Sequence, residues 1–564
     1  MPEASASAPR QSARTATSKP QTRDLTQGPI ASTLLIFALP ILAGNVLQSL
    51  NGSVNAIWVG GHLGEAALTA TANANNVMFA LIGAVFGISM ATNILIAQSI
   101  GAKNIAQAKR VLGTSATFFG VVSLLIALLG WPLSRHLMQW MSTPEAALPL
   151  AEAYLKVIFL AIPLLFMFSF VTAALRGAGD TRTPFWFLLV VVALDMALNP
   201  LLIFGWGPVP RMGIQGSAVA TLIANAVSFT ALLGWLRLRR HPLWIGRRQL
   251  GLFKPDLTIV RTLVVKGLPM GVQIVMISLA MIAMISMVNE HGVQTASAYS
   301  AALQLWTYVQ MPAMAMGAAC SSMAAQNVGA GLWKRVSATA HAGMLGNLAL
   351  TGSLIALIVL LDRHVLGWFL PGGSPSLEVA RHLNHIAIGS FLFFGVTFVL
   401  AGVVRSTGAV MAPVLILAIA MWGIRVPVAR WLQPVMGVDA IWWSFPISSV
   451  CSMLMMLAYY RWGNWRKAHM LPAAAQSPAQ PAGMEVPAQA RASEEFEAQA
   501  PVDSDALMAR AAPCERIAIP AEVGGQPPST VATLATDAGT GTGTGTGTGA
   551  GTGTGAPPRD ANPG

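Results

Sequence analysis

Asp195 is the one acidic residue that falls well inside an apolar stretch of this 564-residue chain. Twelve of the 22 acidic residues precede residue 470, and the other eleven of these sit at the edges of apolar runs or beyond them. A carboxylate in hydrocarbon is costly unless a proton, a cation or a partner neutralises it. Such a group can take up H⁺ or a metal cation in one state and release it in another. Asn199 follows four residues later and shares a helix face with Asp195. The plainer alternative is a structural bond from Asp195 to a backbone group or an arginine.

Other residues suit the holding of organic molecules. Asn73, Asn75 and Asn76 crowd the start of one apolar run, and Gln304, Trp306, Tyr308 and Gln310 the start of another. Aromatic faces attract organic cations, and methionines such as Met281, Met284 and Met287 make adaptable walls. Each of these could equally be a packing residue. Arg425 lies inside an apolar run, as a tie to helix-end carbonyls or as a counter-ion site. His385 stands alone, and Cys320, Cys451 and Cys514 have no metal or disulfide spacing. No nucleophile–base set, phosphate loop or Walker sequence appears, which argues against an enzyme or a primary pump.

The chain that must position these groups is 54% hydrophobic and 10% charged. Soluble domains carry about 25% charged residues. Apolar runs near 30–52, 68–97, 112–133, 155–176, 185–205, 214–236, 262–288, 297–325, 340–361, 384–404, 412–432 and 440–461 are each long enough to cross a bilayer. Uninterrupted helices are expected, because lipid cannot satisfy open backbone groups. The runs come as a duplication. Ala38-Leu39-Pro40 is echoed by Gly267-Leu268-Pro269, Gln98-Ser99-Ile100-Gly101 by Gln326-Asn327-Val328-Gly329, Arg176 by Arg405, and Met212-Gly213 by Met436-Gly437. Two repeats of six spans have the same orientation. The expected fold is an all-α polytopic membrane protein of twelve transmembrane helices, in two pseudo-symmetric six-helix lobes around a central cavity. Pro40 and Pro269 are expected to bend the first and seventh spans.

The net charge of +12 reads as topology rather than as a surface for nucleic acid. Up to residue 467, loops on one side together with the chain ends hold 23 Lys and Arg, and the other side holds six. The positive-inside rule therefore places both ends in the cytoplasm. The expected organisation is a mobile N-terminus over 1–25, a first lobe over 26–237, a linker over 238–261 with an interfacial stretch near Trp244 to Phe253, and a second lobe over 262–465. Residues 466–564, with their Gly-Thr pairs, read as a low-complexity tail that does not fold. No cleaved signal sequence is expected.

Several short segments resemble one family. They are Asp24 to Ile30 with Phe37-Ala38-Leu39-Pro40, Ser53 to Gly60 with Leu63 to Leu68, Leu175 to Thr181, Asn199 to Gly205, and Arg425 to Ala429. In order on a duplicated frame, they resemble the multidrug and toxic compound extrusion (MATE) family, over about residues 24–465. The resemblance implies a bacterial inner-membrane antiporter, a monomer, that exports drug-like and often cationic compounds. Its partners would be small organic substrates, a coupling ion and membrane lipid, with no cofactor beyond that ion. It also implies a coupling cluster of Asp195, Asn199, Asn55 and Thr221. The order departs from the family pattern: Asp195 stands one turn early, Asn199 takes the usual acid position, and Asn55 stands where the first span usually has a carboxylate. Another branch of the family has a Glu in the seventh span, where this chain reads Gln273-Ile274-Val275, which favours H⁺ over Na⁺. Gln273 joins the cavity candidates.

Two alternatives remain. A lipid-linked oligosaccharide flippase shares such an architecture, but it would line its cavity with several basic residues, and the spans offer little beyond Arg425. A polytopic membrane enzyme would need a catalytic set that is not seen.

Overall fold

The computed structural model describes residues 23–205, 210–370 and 374–470. The described part is helical throughout. The first lobe holds α1 (Ile30–Leu63), α2 (Glu65–Gly101), α3 (Ile105–Trp140), α4 (Leu148–Gly177), α5 (Arg182–Phe204) and α6 (Ile214–Leu238). The second holds α7 (Leu257–Asn289), α8 (Val293–Val309), α9 (Met311–Gly329), α10 (Trp333–Leu360), the short α11 (Asp362–Gly367), α12 (Pro375–Ala387), α13 (Ser390–Arg405), α14 (Met411–Ala418), α15 (Val426–Met436) and α16 (Asp439–Trp462). Ten helical stretches are each long and apolar enough to cross a membrane, and the bent pair α12–α13 makes an eleventh. α8 and α9 meet end to end at Gln310 and fill the remaining place, giving twelve spans.

Three spans of the second lobe correct the expectation of uninterrupted helices. The eighth breaks at Gln310, two residues before Pro312, which lacks the N–H to bond the turn behind it. The tenth bends by 44° between α12 and α13, at Gly389-Ser390, a Gly/Ser pair of the kind that kinks helices. The eleventh winds Ile419–Arg425 as a π-helix between α14 and α15. Pro427 follows it, and its ring would clash with the carbonyl four residues back in a regular helix, so the wider winding relieves that contact. Pro40 and Pro269, in contrast, sit inside helices that continue through them.

Local signals set the helix ends. Asn104 caps α3 by accepting from the Gln107 backbone N–H at 2.9 Å, and Asp256 caps α7 by accepting from that of Thr258 at 2.9 Å. The duplicated Met-Gly turns have a common cause. Gly213 and Gly437 have φ of 56° and 58°, a left-handed geometry that glycine adopts without strain. The linker between the lobes includes a 3₁₀ turn at Arg247–Phe253 that lies along α3, where the Thr117 hydroxyl donates to the Phe253 carbonyl at 2.7 Å. Of the expected N-terminal segment 1–25 and C-terminal tail 466–564, residues 1–22 and 471–564 lie outside the described residues.

The lobes join at the end of the bundle that carries the start of α1 and the end of α16. There the apolar cores are shared: Leu34 and Phe37 pack with Met323, Leu400 and Val404, and Ile94 and Leu95 with Leu263, Met270 and Ala325. The first lobe has its own core along its length, built by α1–α6 with the linker, and helices after α6 build a second core toward the other end. The join is tight because glycines let backbones touch. A Cβ on Gly101 would overlap the Gln326 carbonyl, and one on Gly329 would overlap the Gln98 carbonyl. The same two glutamines cross between lobes in opposite directions. Gln98 Nε2 donates to the Ser406 carbonyl at 2.6 Å, and Gln326 Nε2 to the Gly177 carbonyl at 2.9 Å. Ser322 adds a bond to Asn93 Oδ1 at 3.1 Å.

Candidate functional site

Asp195 lies fourteen residues into α5, about 20 Å along the helix at 1.5 Å per residue. It is 1% exposed, between α1, α5 and α6. Two side chains hold its carboxylate: Asn51 Nδ2 donates to Oδ2 at 2.9 Å, and Thr221 Oγ1 donates to Oδ1 at 2.9 Å. Among the described residues no cation pairs with it. A charge-bearing group is thus buried with two neutral donors, an arrangement that an exchangeable proton or cation would complete.

The other expected members sit around this core in different roles. Asn199 is 1% exposed and donates to the backbone carbonyl of Asp195 at 2.8 Å, while its Oδ1 has no partner. Asn55 does not reach Asp195. Its Oδ1 accepts from Ser217 at 2.7 Å, and Ser217 lies one turn before Thr221 on α6. The buried Tyr154 of α4 belongs to the same first-lobe core. Asn51 was not singled out from the sequence, although a signal existed. α1 and α5 both start at the joined end, so an acid one turn early on α5 meets a partner one turn early on α1. Asn51 is one turn before Asn55.

Removing Asn51 gives a sharp test of this geometry. Hydrogen bonds to charged groups are worth about 1.5–3 kcal/mol. Asn51→Leu is expected to lower stability by about that amount when Asp195 is present, and by clearly less in an Asp195→Asn background. A double-mutant cycle on thermal unfolding in detergent checks this; additive losses would mean that the two side chains do not interact.

Asp180 and Asp362 are also buried, but beyond the apolar runs. Asp180 accepts from the backbone N–H groups of Arg182 and Thr183, and Asp362 pairs with Arg381 at 2.9 Å.

The cavity candidates are scattered. One partly open cavity lies between the lobes, lined from α1, α2, α4, α9 and α13, and none of the eight candidates lines it. Trp306 packs inside the second lobe with Tyr299 and Phe445, and its Nε1 donates to Asn384 at 3.0 Å. Met281 and Tyr308 are partly buried, while Asn76 is exposed. Asn73 donates to Thr143 at 3.0 Å. Gln304 is exposed and lines a shallow hollow with Ser297, Ser300 and Phe369. Gln273 is buried with Oε1 unpartnered. Arg425 donates to the Ser448 hydroxyl at 2.9 Å and lies over the Phe445 ring at 4.5 Å. Its partner is therefore a hydroxyl of α16 rather than a helix-end carbonyl.

A family model described as MatE matches residues 40–201 and 269–431. The chain is 34% identical over 437 residues to "Probable multidrug resistance protein YoeA" of Bacillus subtilis, covering 77% of this chain and 94% of that one. It is 25% identical over 448 residues to "Probable multidrug resistance protein NorM" of Thermotoga maritima, covering 78% and 94%. A solved structure titled "Outward-facing conformation of a multidrug resistance MATE family transporter of the MOP superfamily" superposes with a TM-score of 0.72 at 19% identity, over 78% of this chain and 96% of that one.

Proposed function

Since the chain belongs to the MATE family of multidrug efflux transporters, we propose that it is an antiporter that exports drug-like, often cationic, organic compounds in exchange for H⁺. The observation that carries this reading is the buried carboxylate of Asp195, held by Asn51 and Thr221 with no Lys or Arg paired to it among the described residues. A site built from one carboxylate and neutral donors suits a proton. Na⁺ would need more oxygens, and the unpartnered Oδ1 of Asn199 is one candidate ligand in the cluster.

In this reading both chain ends lie in the cytoplasm of a bacterial cell and the protein sits in the inner membrane as a monomer. The joined end then closes the cytoplasmic side, and the separate cores of the other end flank a cleft open to the outside. Exchange would proceed by alternating access: ion uptake at Asp195 favours one arrangement of the lobes, and substrate the other. Each ligand shifts the balance only by its difference in affinity for the two arrangements.

Efflux of a fluorescent cationic dye from cells or inverted vesicles, with the pH and Na⁺ gradients collapsed separately, tests the proposal. Collapse of the pH gradient is expected to stop dye export, and collapse of the Na⁺ gradient to leave it running. Export that survives both would remove secondary antiport altogether.

A further inference from the structure

Arg176 and Arg405 occupy equivalent places in the two repeats. Their charges read from the sequence as loop charges. The structure corrects this: they stand in the last turns of α4 and α13, and both line the partly open cavity between the lobes. Arg405 is 3% exposed and Arg176 is partly buried. Arg405 Nε donates to the Ala401 carbonyl of its own helix at 3.2 Å, and the guanidinium lies 5.7 Å from the Phe398 ring. Among the described residues neither arginine has a carboxylate within ion-pair distance. A third group points the same way. Ser89 lines the same cavity, is 5% exposed, and its hydroxyl has no hydrogen-bond partner.

Buried charges are normally paired, since desolvation without compensation is unfavourable. Here two arginines line one small space, and among the described residues no carboxylate pairs with either. A basic residue in the last turn of a helix does gain from the helix dipole. That explains one arginine at each helix end, but not why both open onto a common cavity beside an unsatisfied hydroxyl. Guanidinium forks match the oxygens of phosphate in a bidentate way. The cavity holds about 90 Å³, roughly the share of three water molecules. That admits a phosphate group but not a whole drug-sized molecule.

We propose that Arg176, Arg405 and Ser89 form an oxyanion site that binds the phosphate group of an organic phosphate at the join between the lobes. The rest of the ligand projects out of the cavity. The site shares no residue with the Asp195 cluster, so it adds an anion-binding function to a chain whose coupling group is acidic. The phosphate can come from a soluble phosphomonoester or from a lipid headgroup.

The test uses the full chain in phosphatidylcholine nanodiscs and calorimetric binding of 4-nitrophenyl phosphate, with 4-nitrobenzyltrimethylammonium as the cationic counterpart. Wild-type protein is expected to bind the phosphate, more tightly at pH 7 than at pH 5, because the second phosphate ionisation lies near pH 6. Arg176→Gln with Arg405→Gln is expected to weaken binding at least tenfold and to remove that pH dependence, with binding of the cation unchanged. Should the double variant fail to fold, Arg176→Lys with Arg405→Lys keeps both charges but not the forks, and a loss of threefold or more is expected. Discs containing phosphatidic acid separate the sources. Weaker binding of the soluble probe there, with phosphatidic acid retained by the wild type and not by the variant in native mass spectrometry, assigns the site to lipid. Unchanged binding of the probe there assigns it to soluble phosphates. No phosphate binding by the wild type in either disc, or equal binding by the wild type and the lysine variant, overturns the proposal.

Discussion

Asp195→Asn is expected to uncouple the transporter while leaving it folded and able to bind substrate. The amide has nearly the shape of the carboxylate. It can still accept from Thr221, and an amide flip at Asn51 lets that residue's oxygen face the new N–H. What is lost is the charge proposed to take up the ion. A pH gradient of one unit is worth about 1.4 kcal/mol, a tenfold ratio of substrate across the membrane for one-for-one exchange. With the charge gone that ratio should collapse toward unity, and gradient-driven export should fall at least about tenfold. Binding of the cationic dye to purified protein should change by less than about threefold. The measurement pairs dye export from vesicles under an imposed pH gradient with equilibrium binding in detergent. A variant that still exports with the wild-type response to pH would move the coupling role away from Asp195.

The second large effect concerns the joined end. Gly101 and Gly329 each face a carbonyl of the opposite repeat at a distance no side chain tolerates. Overpacking a tight contact costs about 1–3 kcal/mol per site, and every 1.4 kcal/mol is tenfold in a population. Gly101→Val with Gly329→Val should therefore shift the arrangement of the lobes by about one to four orders of magnitude away from the one with this end closed. The two bonds from Gln98 and Gln326 would be lost with it. Spin labels at Glu65→Cys and Val293→Cys, one on the far end of each lobe, report the shift when Cys451 and Cys514 are replaced by serine. The distance between labels should shorten in the glycine variant, as the far ends come together. An unchanged distance distribution in a folded variant would mean that these contacts do not hold the end shut. Either glycine alone should give a smaller shift in the same direction.

Much of the architecture is legible in the sequence, because lipid leaves few choices. Long apolar runs must become helices, and duplicated runs of even number must give two lobes of like orientation. The echo of Gly213 in Gly437 and of Gln98 in Gln326 marks places where geometry, not chemistry, is repeated. The breaks at Gln310, Gly389 and Ile419–Arg425 were harder to foresee. Gly389 and the prolines near the other two are visible, but Pro40 and Pro269 sit in unbroken helices. Whether a proline breaks a span depends on whether neighbours satisfy the freed carbonyls.

The candidate site divides in the same way. The sequence by itself determined that Asp195 is the buried acid of the spans, because burial of an unpaired carboxylate is so unfavourable that its presence there is a signal. Spacing also put Asn199 on the same helix face as Asp195, while Thr221 was implied only by the family resemblance. Only the tertiary structure decided which neutral group meets each carboxylate oxygen, choosing Asn51 over Asn55, since that depends on the axial register of α1 against α5. It also decided that Trp306 is a core residue and that Arg176 and Arg405 converge on one cavity. Residues 229 apart in the chain meet only because the two repeats fold against each other. Spacing along one helix fixes a face. What stands opposite that face is set by how separate helices pack, and periodicity carries no record of it.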